Sequence, residues 1–416
     1  MSVIVTVTLV AGNLGLIFLL MTVPLGLRTV TVSRVIKADR ERLWQALWPF
    51  GSDAGWSGEI LSAEPLNGDG TALIRLSWDG RDGRPIERKA RFEDISEGSR
   101  FSMTVIEDTA LDPSFWADYR ETAEFVPEGD ATRVTLTRTD RYRGLAFLVF
   151  RFFAMRRELR KLDVWAATGT YRKGGWFEHP LSQIGFAVLS ALILWPFFGL
   201  NIGGLALAAI LTSVVALHEL GHMAAFRLTG HRRARMIFIP LLGGIAIGGR
   251  PYDSRFEVAF VALMGAGFSA FLVPVLIAAS GLASTEGHRL AAALLATLAG
   301  CASLFNIANL VPVWKFDGGQ VLRQICPGPV PLALASFLLL SSLLALGWRA
   351  GFSPSFLLIA GAVFATLSLI TVGSGVKPRH ELKPIKTFDR LAMAGALLAV
   401  FAIHGYGMLW ASAQLM

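Results

Sequence analysis

Val214-Val-Ala-Leu-His218-Glu219-Leu-Gly-His222-Met-Ala-Ala-Phe226 runs through a stretch, residues 203–227, that is apolar enough to cross a membrane. On an α-helix His218 and His222 share one face, one turn apart. Two imidazoles at that spacing make two corners of a tetrahedral zinc site, and Glu219 can reach a water held on the metal. A pair of packing histidines beside a surface Glu is the bland reading. It is the poorer one, because three ionisable side chains at bilayer depth are costly and default to a functional role. The stretch therefore predicts a polytopic α-helical membrane protein whose bundle encloses a metal site.

The remaining composition agrees. The chain of 416 residues is 53% hydrophobic with a mean hydropathy of +0.52, too apolar for an ordinary soluble protein. Eight spans are expected, at 3–27, 181–200, 203–227, 256–281, 289–312, 329–348, 353–373 and 390–413. The first lacks a basic start and a clear small-residue cleavage site, so it reads as an anchor and not a signal peptide. The net charge of +8 does not imply nucleic acid, because the excess sits beside spans. One basic loop holds Arg227, Arg232, Arg233, Arg235, Arg250 and Arg255; another holds Lys377, Arg379, Lys383, Lys386 and Arg390; Arg28, Arg34 and Lys37 follow the first span. The positive-inside rule puts all three in the cytoplasm, with both termini outside. Both motif-bearing spans then open toward the cytoplasm, as one shared zinc requires. Cys301 and Cys326 form neither a disulfide framework nor a cysteine zinc site.

A third ligand is needed, with a fourth position open for water. Downstream, Asn309, Pro312, Asp317 and Gly318 spell N-x-x-P-x-x-x-x-D-G. Together the two motifs resemble the site-2 protease family of intramembrane zinc metalloproteases, over roughly residues 181–325. The resemblance implies one zinc per chain, held by His218, His222 and Asp317. It implies that Asn309 serves substrate or oxyanion contacts; the other reading of Asn309 is a helix-breaking residue bonded to backbone freed by Pro312. Asn306, one turn earlier, has the same chemistry. Zinc would acidify its water and polarise the scissile carbonyl, while Glu219 takes the water proton and returns it to the leaving amine. Some membrane zinc proteases use a downstream Glu as third ligand. Glu257 is the nearby candidate, but it lacks a surrounding constellation and starts an apolar segment, where a charge needs no special cause.

Between the motifs, residues 235–250 are apolar but rich in Gly and Pro. They resemble the family's membrane-embedded β-hairpin, whose edge can pair with an unwound substrate; a re-entrant loop without that role is the alternative. Two departures stand out. Leu263-Met-Gly-Ala-Gly267 lacks the family's Gly-Pro pair, and Val313-Trp-Lys-Phe316 replaces its Pro-rich approach to the Asp. The glycines of the former permit close helix packing.

Residues 29–176 differ from the rest: charges are frequent and no full span occurs. Thr29–Ile36 alternates as a strand, Asp39–Trp48 reads as a short helix with Leu43, Leu47 and Trp48 on its apolar face, and five alternating runs follow. These are Ala72–Trp78, Ile86–Ile95, Phe101–Ile106, Tyr119–Phe125 and Thr132–Thr137. A helix over Leu145–Ala167 closes the segment; its first part suits a membrane-surface helix or one packed under the sheet, with Arg156, Arg157, Arg160 and Lys161 facing headgroups or solvent. This order resembles the START-like helix-grip superfamily, which implies a curved antiparallel sheet around the last helix and an apolar ligand in its cavity. A filled core used only for protein contacts is the alternative.

The expected layout is an anchor at 1–28, a cytoplasmic α+β domain at 29–176, a protease core at 177–325 and C-terminal spans at 326–416. The expected function is hydrolysis of peptide bonds in transmembrane segments of membrane-tethered regulators, in a prokaryotic cytoplasmic membrane. Its partners are a transmembrane substrate, lipids and an apolar ligand, and not nucleic acid. The alternative is a non-enzymatic lipid- or ligand-binding membrane protein on a protease-like scaffold.

Overall fold

The computed structural model describes residues 3–66, 68–171, 174, 179–239, 243–313, 315–371 and 378–415. Asn67 of an expected turn, Pro240, Leu241 and Leu242 of the expected hairpin, Trp314 of the second motif, Lys377 and much of the 174–181 connection lie outside them. The chain divides into two compact units, Met1–Lys173 with Gly373–Glu381, and Gly174–Val372 with Leu382–Met416. The 1–28 segment thus groups with the α+β domain, and the C-terminal helices group with the motif-bearing core.

In the first unit, helix α1 (Val3–Met21) gives way to β1 (Pro24–Ile36). The expected span at 3–27 is therefore too long. Pro24 disfavours helix at the residue before it, and the chain leaves as a strand. Gly26, at φ +71°, sits where β1 shifts register against β7. After α2 (Arg40–Leu47) come β2 (Ile60–Pro65), β3 (Thr71–Asp79), β4 (Pro85–Ser96), β5 (Arg100–Asp108), β6 (Arg120–Glu128), β7 (Ala131–Arg143) and α3 (Leu145–Thr168). All pairings are antiparallel, in the order β1-β7-β6-β5-β4-β3-β2. Strand β2 was not expected. It is an edge strand without clean alternation, so periodicity could not reveal it.

Alternation elsewhere makes the core. Val30, Val32 and Ile36 of β1 and Val134 and Leu136 of β7 face inward with Met155, Leu159, Leu162 and Ala166 of α3. The α3 residues recur every three or four positions, which is one helix face. Phe125, 1% exposed, packs edge-on to Trp44 at 5.6 Å between ring centres. Truncating it to Ala would cost about 3–5 kcal/mol. The start of α3 behaves differently. Gly144 donates to the Val23 carbonyl at 2.8 Å, so α3 begins beside the end of α1. There Phe150 and Phe153 are 67% and 60% exposed. The second half of the helix packs under the sheet, while the first keeps an aromatic outer face.

The second unit contains α4 (Pro180–Leu194), α5 (Ile202–Leu228), β8 (Arg235–Ile239), β9 (Gly243–Ile247), α6 (Arg255–Thr285), α7 (Arg289–Asn309), α8 (Asp317–Ile325), α9 (Pro329–Arg349), α10 (Pro354–Thr371) and α11 (Thr387–Leu415). Among the described residues six helical segments, all in this unit, are long and apolar enough to cross a membrane. Eight were expected. The other two expected spans fall on α1 (Val3–Met21), after which β1 begins, and on α10 (Pro354–Thr371), where the described residues give an apolar helix over Pro354–Ser368. Helix α6 is central and packs on α5, α7, α8 and α11. Its buried face is built of Ala259, Ala262, Ala266 and Ala270, which lets neighbours approach closely.

Candidate metal centre and ligand cavity

His218 and His222 lie near the end of α5, and Asp317 opens α8. The first turn of a helix favours a carboxylate, because its free N–H groups carry partial positive charge. The turn leading into α8 is tight. A methyl group on Gly318 would run into the backbone of Leu310, and one on Gly319 into that of Val313. Neither position of the D-G-G sequence admits a side chain.

Three donor atoms converge. His218 Nε2 and His222 Nε2 are 3.1 Å apart, and Asp317 Oδ2 lies 3.2 Å from the first and 3.5 Å from the second. Ligands about 2.0–2.1 Å from a tetrahedral zinc stand about 3.3 Å from one another. Asp317 Oδ2 is buried and has no hydrogen-bond partner, although both imidazoles face it. Three potential ligand atoms so close together, one of them a buried carboxylate oxygen without a partner, fit a cation between them. Among the described residues this is the one group of three such side chains that could hold an ion.

The far side of each ring is fixed. His218 Nδ1 is 2.8 Å from Asn306 Oδ1, and the Asn306 amide in turn donates to the Ala302 carbonyl at 2.7 Å. That second bond makes Oδ1 the atom facing the ring, so His218 Nδ1 donates. His222 Nδ1 donates to the Val261 carbonyl at 2.8 Å. Each ring therefore carries its proton on Nδ1 and presents the Nε2 lone pair inward, as metal-bound histidines do. Gly265 completes the setting. A methyl group there would stand 2.5 Å from His222 Nε2 and 2.7 Å from His218 Cε1.

Glu219 accepts a hydrogen bond from the backbone N–H of Ala246 in β9, at 2.7 Å. Met236 pairs with Ala246 and Phe238 with Gly244. Since Ala246 N–H turns toward Glu219, it points away from β8. On the other strand Phe238 N–H points outward to Gln183 of α4. The two bonds give one parity: the outer edge of β8 meets Gln183, and the outer edge of β9 faces Glu219. Gly244 has no room for a side chain, because a Cβ there would strike Glu219. A pocket of about 190 Å³ is lined by Glu219, His222, Asp317, Ala246, Tyr252 and Gln320, among others.

The other sequence candidates separate. Asn309 Nδ2 donates to the Phe305 carbonyl at 3.0 Å, within its own helix, and Asn306 is the residue bonded to a histidine. Glu257 is buried elsewhere, 2.8 Å from His231 Nε2 and 2.7 Å from Arg250 Nη2. It clasps the end of the hairpin to α6 and stands outside the three-residue group. Gly265 was expected only to permit close helix packing and Asn306 only to share the chemistry of Asn309, and Tyr252 was not singled out. Helical spacing could have linked Gly265 to Val261, but nothing local shows which helix meets the histidines.

In the first unit a cavity of about 320 Å³ lies between sheet and helix. Leu47, Ile74, Leu76 and Phe101 make one wall; Arg88, Glu121, Arg138 and Glu158 line it too. The lining is mixed, part apolar and part charged. Arg138 bridges Glu121 at 2.8 Å and Glu158 at 2.9 Å. Burial pushes both carboxyls up. For Glu121 the Arg138 charge outweighs it and holds the carboxyl below its usual range, whereas Glu158 stays above. Replacing Arg138 by Met strands two half-buried carboxylates. It should destabilise this unit by about 1–3 kcal/mol, read as earlier thermal loss of tryptophan signal. Because the folded value for Glu121 is depressed, its stabilisation is complete above the unfolded value of 4.5 and is lost as pH falls through the folded one.

Residues 28–163 match the family model described as "Polyketide cyclase / dehydrase and lipid transport". Several solved structures are similar over this region. The Aha1 dimer from Colwellia psychrerythraea is 15% identical, covering 35% of this chain and 99% of that one, with a TM-score of 0.28. A START superfamily protein from Mycobacterium smegmatis is 14% identical, covering 34% and 99%, with a TM-score of 0.26. The Mll3558 protein from Rhizobium loti is 23% identical, covering 33% and 96%, with a TM-score of 0.25. No curated protein matches the chain. The family match lies within the first unit, whose seven-stranded antiparallel sheet packs on α3 in a helix-grip-like fold.

Proposed function

We propose that the chain is an intramembrane zinc endopeptidase of the site-2 protease type, carrying a START-like domain that binds a ligand. One observation supports this above all: the inward lone pairs of His218 and His222 converge with the unpartnered Asp317 Oδ2 at ligand-to-ligand distances. When bound there, zinc would supply Lewis acidity and a water acidic enough to be deprotonated near neutral pH. His218, His222 and Asp317 would hold it, and Asn306 and the Val261 carbonyl would keep the rings oriented. Glu219, one residue from the first ligand, takes the proton and returns it to the leaving amine. In this reading the six apolar helices and α10 span a membrane, and the basic loops put the site on the cytoplasmic side. Membrane-tethered regulators are the substrate class that the resemblance implies.

A test is cleavage of a single-span substrate reconstituted with the purified protein. Activity should disappear on chelation and return with zinc, and metal analysis should find one zinc per chain. A well-folded protein that holds no zinc and cleaves nothing sinks the reading.

The outer edge of β9 is where an extended substrate segment adds as a strand, since its backbone groups face Glu219. Helical peptide bonds must therefore open first. Exchanging Gly or Pro in a cleaved span for Leu should slow turnover several-fold, as measured by initial rates. An unchanged rate would remove strand addition from the mechanism.

A second reading has its own support. The family described for residues 28–163 includes lipid transport, and the cavity has the volume of a small-ligand site. Here the chain is a non-enzymatic ligand-binding membrane protein. The zinc measurement separates the two readings. Both assign the cavity an amphipathic occupant, with its polar end at Arg138, Glu121 and Glu158.

A further inference from the structure

Hydrolysis of a peptide bond needs a donor for the oxygen that gains charge as the carbonyl carbon becomes tetrahedral. Neither Asn306 nor Asn309 lines the pocket that holds Glu219, His222 and Asp317. Asn309 is bonded to Phe305 within α7, and Asn306 holds His218. Gln320 lines the pocket and gives one amide N–H to the Lys315 carbonyl at 3.2 Å. Tyr252 is the stronger candidate, with its one donor unspent. It lines the same pocket as Glu219, His222 and Asp317, and among the described residues its hydroxyl has no hydrogen-bond partner. Its ring is seated by the Phe226 ring, stacked at 5.8 Å, and by His231 at 5.9 Å. Phe226 is on α5, one turn past His222, so the seat is rigidly tied to the ligand helix. Burial, with the carboxylates of Glu257 and Asp317 nearby, holds the phenol well above its ordinary range. It stays protonated at neutral pH and can act only as an uncharged donor or acceptor there.

We infer that Tyr252 is a further catalytic residue, whose hydroxyl donates a hydrogen bond to the substrate's carbonyl oxygen as that oxygen becomes an oxyanion. This rests on the endopeptidase reading. No proton changes owner in the step; Glu219 does the proton transfer.

Tyr252→Phe isolates the hydroxyl, because the stacked ring is kept. With the reconstituted enzyme, kcat should fall by about 10²-fold with KM within twofold and zinc content unchanged. A peptide phosphinate, which presents tetrahedral oxygens, should lose affinity by a comparable factor, while an uncleaved substrate bound to the Glu219→Gln, Tyr252→Phe double variant should bind as to Glu219→Gln alone. A purely structural role predicts no change in any of these. Wild-type kcat and phosphinate affinity in Tyr252→Phe overturn the assignment and leave the endopeptidase reading standing. So does a raised KM with unchanged kcat, which would make the hydroxyl a ground-state contact. A zinc-loaded wild-type enzyme inert toward every single-span substrate overturns the endopeptidase reading, and this assignment with it.

Discussion

Glu219→Gln should keep one zinc per chain and lose cleavage, with a fall in kcat of about 10²–10⁴-fold, the range for loss of a general base. The metal stays because the donor set of His218, His222 and Asp317 is untouched. The fold stays because the amide keeps an oxygen for the Ala246 N–H, the one hydrogen bond described for the carboxylate. Chemistry fails because an amide cannot take the proton. The decisive comparison is metal content beside turnover, on the same preparation. His222→Ala or Asp317→Ala should lose both. Full turnover by Glu219→Gln would show that another group is the base.

Gly265→Ala should be nearly as severe by a different route. Its added methyl would meet both imidazoles at 2.5–2.7 Å, well inside contact distance. The rings cannot both turn away, because each is held at Nδ1, one by Asn306 and the other by the Val261 carbonyl. Either those bonds break or α5 and α6 separate. Disturbing such orienting bonds typically costs about 10–100-fold in metal affinity, and separating the helices costs more. Zinc titration against a competing chelator measures this directly. Gly267→Ala is the control on the same helix, since a methyl there meets only ordinary contacts, the nearest at 3.5 Å. Equal affinities for wild type and Gly265→Ala would mean that the helices have slack which the packing conceals.

The histidine pair was legible because helical spacing alone puts His218 and His222 on one face. The sheet strands were legible wherever alternation was clean, as in Thr132–Thr137, where Thr132, Val134 and Leu136 are buried. Edge strand β2 was not, since one neighbour imposes little pattern. Arg138 and Glu121 were also hidden. They continue the inward parity of Leu136 and of Ala123, and only the fold shows that this end of the face lines a cavity and not a filled core. Which asparagine holds His218 was not legible, for a geometric reason. Three residues along a helix shift the direction by about 60°, so only the packing of α7 on α5 decides which side chain reaches His218. Gly265 and Tyr252 depend on long-range contacts that no local pattern encodes. The end of α1 was missed because hydropathy continues past Met21 to Leu27, while Pro24 ends the helix.

His222 and Asp317 are about ninety-five residues apart in the chain, and α6 and α7 lie between them. A metal held by both would act as a reversible cross-link across that loop. Unfolded chain offers the two histidines together but leaves the carboxylate far away, so the ion prefers the assembled bundle. By mass action this preference raises the unfolding free energy, by about 2.7 kcal/mol when free metal is a hundred times its dissociation constant. The melting temperature of the bundle would then track zinc concentration even in the inert Glu219→Gln protein, so that an inactive enzyme still reports its metal through its stability.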